Sequence, residues 1–498
     1  MRHILFTLLT LCVVFSYTAL AASGHSKGHI SKHKSLSHHH TNKHAHYKAI
    51  HHHSSGKKKT TKKFKKSTKH SSKHLSKKHT KKHTTKHTIK HTVKHTKKYT
   101  TKHTTKHTTK HTSSNKKNTP NTSSLTFPNH KVVAYVLDWD IPKNIKWDKL
   151  DHIAYAFAEP NANGVLKGFD GSNLKSVVTQ AHKNKVGVSI SIAGWSGSIH
   201  MSTLVGSVSK RNTLVRNIVN MVNKYKLDGV NIDWEFPNSP DSIANTARNP
   251  NDTANLLTFI ELLRQKLDTT FPKAHKVITV AASVGPFLDD KGHSIRHFES
   301  GWVTNVDYFY LMSYEYNGNW NDVAGPNAAL KGSSHGWGVD TTVNLWYNAG
   351  IPKNKMHVGV TFYGKVLKTA QPITSTSGMY VKLDGHTQIK GDKYDESDAD
   401  PCPNCKPSYT GEYQWRSIVA NGILENKNGW TTYWDEQSQT PYAYHAGKHT
   451  FLSYDNTKSF EAKLNYVKSE GLAGFMIWSL EMDDSKHTLL NTLQGVRK

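Results

Sequence analysis

Leu-Asp-Gly-Val-Asn-Ile-Asp-Trp-Glu-Phe-Pro, residues 227–237, is a short apolar run broken by a polar residue at every second position in its second half. In a strand, residues two apart share a face. Asn231, Asp233 and Glu235 therefore point to one side, and Ile232 and Trp234 to the other. The segment does not stand alone. Seven further runs rich in Val, Ile, Tyr and Phe recur at 132–139, 150–160, 185–195, 276–285, 306–316, 356–364 and 471–481. Helix-like stretches lie between several of them, among them 211–226 and 253–267. Near-continuous apolar strands separated by helices imply a parallel sheet covered by helices. Eight such repeats predict an α/β chain folded as a (β/α)8 TIM barrel at 128–490. A small α+β insertion is expected between the seventh and eighth strands, at about 365–450, where short patterned pieces interrupt the repeat. The alternative is a doubly wound open sheet, but no Gly-rich phosphate loop follows the first strand to support it.

In a barrel, the polar row of the fourth strand points inward and Glu235 sits last, at the carboxyl end where barrel active sites lie. Two carboxylates buried in line cost too much to serve packing alone. A metal would need further oxygen or His ligands, and no second acidic row appears at another strand end. General acid–base work fits the row better. Asp233 and Glu235 lie at different depths, and repulsion between them is expected to raise Glu235 and keep it protonated.

The charge of the chain separates into two parts. The 498 residues carry a formal net charge of +31, the mark of a nucleic-acid binder if it were spread evenly. Residues 1–125 hold 29 Lys or Arg and no Asp or Glu, which leaves 38 basic against 36 acidic residues in the remainder. The larger part is near neutral, and no nucleic-acid partner is expected. Arg2, His3, an apolar run from Ile4 to about Ala22 and the small-residue pattern Ala19-Leu20-Ala21 read as a signal peptide, cleaved after residue 21. With that segment removed no membrane span remains, and the mature chain is expected outside the cell or on its wall. Residues 22–125 are almost wholly Lys, His, Thr and Ser, with His recurring every fourth residue from His79 to His111 except at Tyr99. Dense like charge and few apolar groups predict a disordered tail. It is expected to hold anionic wall polysaccharide, more strongly as its histidines charge in acid. A Thr-rich O-glycosylated stalk is the rival reading.

Cys402 and Cys405 form a C-x-x-C segment with no strand-to-helix pattern around it, and a zinc site would need two further ligands nearby. A local disulfide in a surface loop is the expectation. Asn121-Thr122-Ser123 and Asn251-Asp252-Thr253 are acceptor sequons for glycosylation.

Residues 228–237, DGVNIDWEFP, closely resemble the D-x-x-D-x-D-x-E signature of the family-18 glycoside hydrolases, the chitinases, here of the secreted fungal type. The likeness runs through the whole globular region. SISIAGW at 189–195 resembles the third-strand S-x-G-G motif, and LMSYEYNG at 311–318 the sixth-strand M-x-Y-D motif. The segment 454–484 resembles the last helix and strand with their terminal Trp. The resemblance implies retaining, substrate-assisted hydrolysis of N-acetylglucosamine polymers, without a cofactor or metal, by a monomer. It implies that Glu235 is the general acid and base and that Asp233 holds the acetamido N–H. Tyr314 would bond the acetamido carbonyl, and Trp478 would form the floor under the sugar. Met312, Glu315, Asn231, Tyr135, Phe157, Trp195 and Trp434 are further candidates for the substrate cleft, because aromatic side chains suit the apolar faces of sugars. Asp228, opposite in phase, is expected to be structural.

Three positions depart from the family pattern. Asn231 replaces the middle Asp, Ala193 the first Gly of the third-strand motif, and Glu315 the usual Asp. Asn231 is expected to donate a hydrogen bond to Asp233, Glu315 to keep the charge on a longer stem, and Ala193 to add only a methyl group. The competing functions are a catalytically silent chitin-binding lectin and an endo-β-N-acetylglucosaminidase acting on N-glycans. The lectin reading is opposed by the presence of Glu235.

Overall fold

The computed structural model describes residues 130–498 except 241, 243–246 and 403. The signal peptide, the tail and the sequon at Asn121 lie outside the described residues. Eight parallel strands close into a barrel: Val132–Leu137, His152–Pro160, Gly187–Ala193, Gly229–Asp233, Val277–Ala282, Tyr308–Leu311, Met356–Thr361 and Gly474–Trp478. Each pairs with its neighbours in sequence, and the first pairs with the eighth to close the ring. All but a few of these strand residues are buried, as expected where helices cover one face and packed side chains fill the other.

The crossovers carry helices, among them Gly171–Lys183, Val208–Tyr225, Asp252–Thr270, Val339–Asn348 and Thr457–Ser469. In Val208–Tyr225 the buried side chains are Leu214, Val215, Ile218, Val219, Met221 and Val222, the three-to-four spacing of a helix with one face on the barrel. Asp170 caps Gly171–Lys183 by accepting from the amides of Ser172 and Asn173, which would otherwise lack partners in the first turn. The first crossover departs from the expected repeat. It holds only the 3-10 turn Trp147–Lys149. The end of the chain makes contacts there instead: Gln494 bonds the Lys149 carbonyl at 3.1 Å and Arg497 pairs with Asp151 at 2.6 Å. Among the described residues no helix is long and apolar enough to cross a membrane.

Between the seventh and eighth strands the chain builds a second, antiparallel sheet. Its strands are Tyr363–Lys368, Glu412–Gln414, Trp430–Asp435, Thr440–His445 and Thr450–Ser453, with the short helix Trp415–Ala420. A separate apolar cluster containing Leu367, Met379, Tyr442, Tyr444 and Phe451 supports this lobe. Cys402 and Cys405 are joined as a disulfide within it.

Candidate active site

The register of the barrel sets Asn231 between Ser191 of the third strand and Thr279 of the fifth. The Asn231 amide donates to the Tyr135 hydroxyl and to the Ser191 hydroxyl, both at 2.8 Å, while its carbonyl accepts from Thr279 at 2.8 Å. Tyr135 in turn donates to Asp233 Oδ2 at 2.7 Å, and Ser191 does so at 3.3 Å. The expected direct bond from Asn231 to Asp233 is therefore corrected. Two residues apart on a strand is about 6.6 Å, and the Tyr and Ser hydroxyls relay across that gap. The relay runs one way, from an amide that can only donate to a carboxylate that accepts.

Glu235 stands two residues past the end of the strand and is fully buried. Its amide donates to Ser198 Oγ at 2.9 Å, and Ser198 itself donates to the Gly194 carbonyl at 2.8 Å. Ser242 bonds the Glu235 carbonyl and accepts from the Phe236 amide at 3.0 Å. These serines, from the loops after the third and fourth strands, hold the backbone that carries the carboxyl. Burial pushes the Glu235 carboxyl well above its ordinary value, and the charge of Glu315 adds to the rise. The expectation that Asp233 supplies the rise is corrected. Desolvation comes first because the group is fully enclosed, and the charge that follows it is on the sixth strand's extension. Tyr314 is also buried and raised, first by desolvation and then by Glu235, Asp233 and Glu315, so it stays a neutral hydrogen-bond donor. Its ring lies against Gly359, where an added Cβ would come within 2.9 Å of it.

Trp478 ends the eighth strand with 4% of its surface exposed. Tyr135 meets its ring edge-on at 5.1 Å, and Phe157 stacks on it at 5.9 Å. Phe157 in turn lies over Gly194, where a Cβ would be 2.8 Å from the ring. A carboxyl raised by burial, a second carboxyl anchored by two hydroxyls, a buried phenol and a cluster of aromatic rings thus meet at the carboxyl ends of strands one, two, four, six and eight.

The sequence profile of the glycosyl hydrolases family 18 matches residues 131–483. The chain belongs to that family. It is similar in structure to a chitinase of Rhizomucor miehei, with a TM-score of 0.72 and 46% identity over 74% of this chain and 100% of that one. A family-18 N-acetylglucosaminidase of Paenibacillus barengoltzii gives a TM-score of 0.61 and 28% identity, covering 74% and 100% of the two chains. In sequence the chain is 33% identical to a "chitinase-like effector" of Moniliophthora perniciosa over 71% of this chain and 83% of that one.

Against the family-18 pattern, the three departures now have a physical meaning. Ala193 has φ 84° and ψ −87°, a backbone region that favours glycine. It therefore adds strain as well as the expected methyl group. Glu315 also has a positive φ, 56°, and its longer stem reaches the first strand of the inserted sheet. Asn231 is the source of the relay described above.

The remaining candidates divide. Tyr135 and Phe157 join Trp478. Met312 is buried just past the sixth strand, its amide bonded to the Ala282 carbonyl at 2.8 Å. Trp195 is buried and donates its indole N–H to Asp400 at 3.0 Å. Asp400 belongs to the lobe after the seventh strand, four strands round the ring from the third, so this contact ties a loop of the insert to the loop after strand three. Trp434 lies on the inserted sheet with Lys458 over its ring at 3.7 Å. Asp228 accepts from His182 at 2.8 Å and from the Val188 amide at 2.9 Å, joining elements away from the acid. Sequence reasoning reaches Ser191 only as the first residue of the S-x-G-G-like motif, and does not single out Thr279, Ser198, Tyr363, Lys365 or Trp320. Trp320 and Lys365 line a cavity of about 470 Å³ between the sixth-strand loop and the insert. For Thr279 the sequence signal is a small polar residue inside an apolar run, and register alone gives that signal meaning.

Proposed function

We propose that this chain hydrolyses the β-1,4 bonds of chitin or a related N-acetylglucosamine polymer with retention, the substrate's own acetamido group acting as nucleophile. The observation that carries the reading is the buried Glu235 carboxyl, raised by desolvation at the carboxyl end of the fourth strand. In this reading Glu235 protonates the glycosidic oxygen and then serves as base toward water. Asp233, fixed by Tyr135 and Ser191, orients the acetamido N–H, and Tyr314 donates to its carbonyl. Trp478 supports the apolar face of the distorted sugar.

The family assignment and the chitinase likeness support the substrate class. The test is turnover of a chitotriose reporter, lost in Glu235→Gln, beside the same oligomer without acetyl groups. Equal cleavage of the deacetylated oligomer would refute the substrate-assisted step. The second reading, a chitin-binding lectin without turnover, is opposed by the presence of Glu235. In that case the wild type binds chitin oligomers and yields no reducing ends.

Residues 1–21 serve, in the same proposal, as a cleaved export signal, and 22–125 as a cationic tail that retains the enzyme on an acidic wall. Deleting 22–125 should then abolish adsorption at pH 5 and low salt, where the 21 histidines of that tail add to its charge.

A further inference from the structure

The fourth strand ends at Asp233, and Glu235 lies two residues beyond it. Its peptide groups have left the regular ladder of the sheet, yet the residue is fully buried. Buried backbone N–H and C=O groups need partners. Two serine hydroxyls supply them here: Ser198 Oγ accepts from the Glu235 amide at 2.9 Å, and Ser242 Oγ donates to the Glu235 carbonyl. Each hydroxyl has a second bond that fixes its direction. Ser198 donates to the Gly194 carbonyl at 2.8 Å, and Ser242 accepts from the Phe236 amide at 3.0 Å. A hydroxyl carries a single proton, so the donor role of both serines is committed. Ser198 is fully buried and Ser242 is 6% exposed. The turn that carries Ser198 is itself held from two sides. Gly194 lies under the Phe157 ring, and the Trp195 indole bonds Asp400 of the inserted lobe at 3.0 Å.

We propose that Ser198 and Ser242 are positioning residues for the catalytic acid. Gripping the N–H and the C=O of Glu235 from two different loops, they aim its carboxyl at the glycosidic oxygen where the sheet no longer can. The inference rests on the reading of Glu235 as acid. Ser198 reaches in from the turn after the third strand, and Ser242 from the loop after the fourth. Neither serine carries a proton in the reaction. Misplacing a reacting group by about 1 Å costs up to about 10²-fold in rate. Loss of either grip therefore falls on proton transfer to the leaving group. The attack of the acetamido oxygen is left intact, because Asp233 is still within the strand and bonded to Tyr135 and Ser191.

The experiment compares kcat/KM on two substrates that differ in their need for the acid. In chitotetraose the leaving group is a sugar hydroxyl and must be protonated as the bond breaks; in dinitrophenyl chitobioside it departs as a stable anion. S198A is expected to lower kcat/KM on chitotetraose about 10–100-fold and to leave the dinitrophenyl substrate within about twofold of the wild type. S242A should show the same selectivity at a smaller size, about 3–10-fold on chitotetraose. Equal losses on the two substrates, or no loss on chitotetraose, would mean that the serines support the fold alone, and either result overturns the proposal. If S198A does not fold, S242A decides by the same comparison. A wild type that cleaves neither substrate refutes the underlying reading of Glu235 instead, and that failure is seen before any variant is measured.

Discussion

At the carboxyl end of the barrel burial pushes several carboxyls above their ordinary values; at the amino end it pushes imidazoles below theirs. Glu235, Glu412 and Glu481 are all raised by burial, Glu412 to about 7 and Glu481 to about 8. At the opposite end His130, His152 and His357 pack together, with ring centroids 4.4 Å apart for His130 and His152 and 5.7 Å for His130 and His357. Tyr308 stacks on His130 at 4.6 Å, Tyr310 bonds it at 3.1 Å, and Ser189 bonds His152 at 2.7 Å. Burial lowers all three, His152 and His357 to about 4. The physical cause is the same at both ends, since desolvation penalises the charged form. Only the chemistry of the side chain differs. The same penalty yields a proton donor at one end and neutral packing at the other.

The two ends have opposite linkage to pH. A carboxyl raised in the folded state stabilises fully below its ordinary value of 4.5, and that stability is lost as pH rises to about 7 for Glu412 and about 8 for Glu481. A histidine lowered in the folded state leaves stability complete above 6.5, and stability is lost as pH falls to about 4. Each tenfold change in a group's proton affinity on folding corresponds to about 1.4 kcal/mol. Between pH 4.5 and 6.5 the two slopes oppose one another.

The largest expected effect breaks the comparison at its chemical end. Glu235→Gln should lower kcat by about 10²–10⁴-fold. Its melting temperature at pH 8 should nevertheless rise above that of the wild type, because a buried carboxylate no longer has to form. A variant both inactive and less stable at pH 8 would mean that Glu235 supports the fold, and the contrast between the two ends would fail.

Asn231→Asp comes next, with an expected loss of about 10–100-fold in kcat through misplacement of Asp233. Asn231 donates twice, and a carboxyl can donate at most once, and then only when protonated. The Tyr135 and Ser191 hydroxyls would turn toward residue 231 and away from Asp233. The acid limb of the rate profile should move with the loss; an unchanged profile would show that the relay does not orient Asp233.

At the amino end His130→Phe keeps the stack on Tyr308 and removes one basic group. Its activity at pH 7 should match the wild type, while its melting temperature should fall by several degrees less on going from pH 7 to pH 4.5. Equal falls in the two proteins would remove the histidine cluster as the origin of acid sensitivity.

Much of this was legible in the chain, for stateable reasons. Apolar runs alternating with helical stretches carry the barrel because its strands are buried on both faces. The two-residue period carries Asn231, Asp233 and Glu235 because strand geometry is local. Ser191 and Thr279 become partners of Asn231 only through register, which a single strand does not encode. Tyr363 and Lys365 meet Glu315 only because the insert folds back on the sixth-strand loop. Similarly, the histidines of the amino end are separated by up to 227 residues and become a cluster only when the ring closes.

The smallest effect concerns a backbone torsion that no side-chain pattern announces. Ala193 is buried with φ 84°, and Ala281, on the fifth strand, is buried without a positive φ. Changing either to Gly removes a buried methyl worth about 0.8 kcal/mol and loosens the unfolded chain at a cost of roughly 0.5–1 kcal/mol. At Ala281 nothing offsets these losses, so Ala281→Gly should destabilise by about 1.5 kcal/mol. At Ala193 the substitution also relieves a strained conformation worth about 1–3 kcal/mol. Ala193→Gly should therefore fall between about 0.8 kcal/mol destabilising and about 1.7 kcal/mol stabilising, above Ala281→Gly throughout. Urea melts of the two variants decide the matter: equal destabilisation of both would show that the third strand's last residue carries no strain, and that the alanine at the mouth of the site is as well accommodated as the one in the wall.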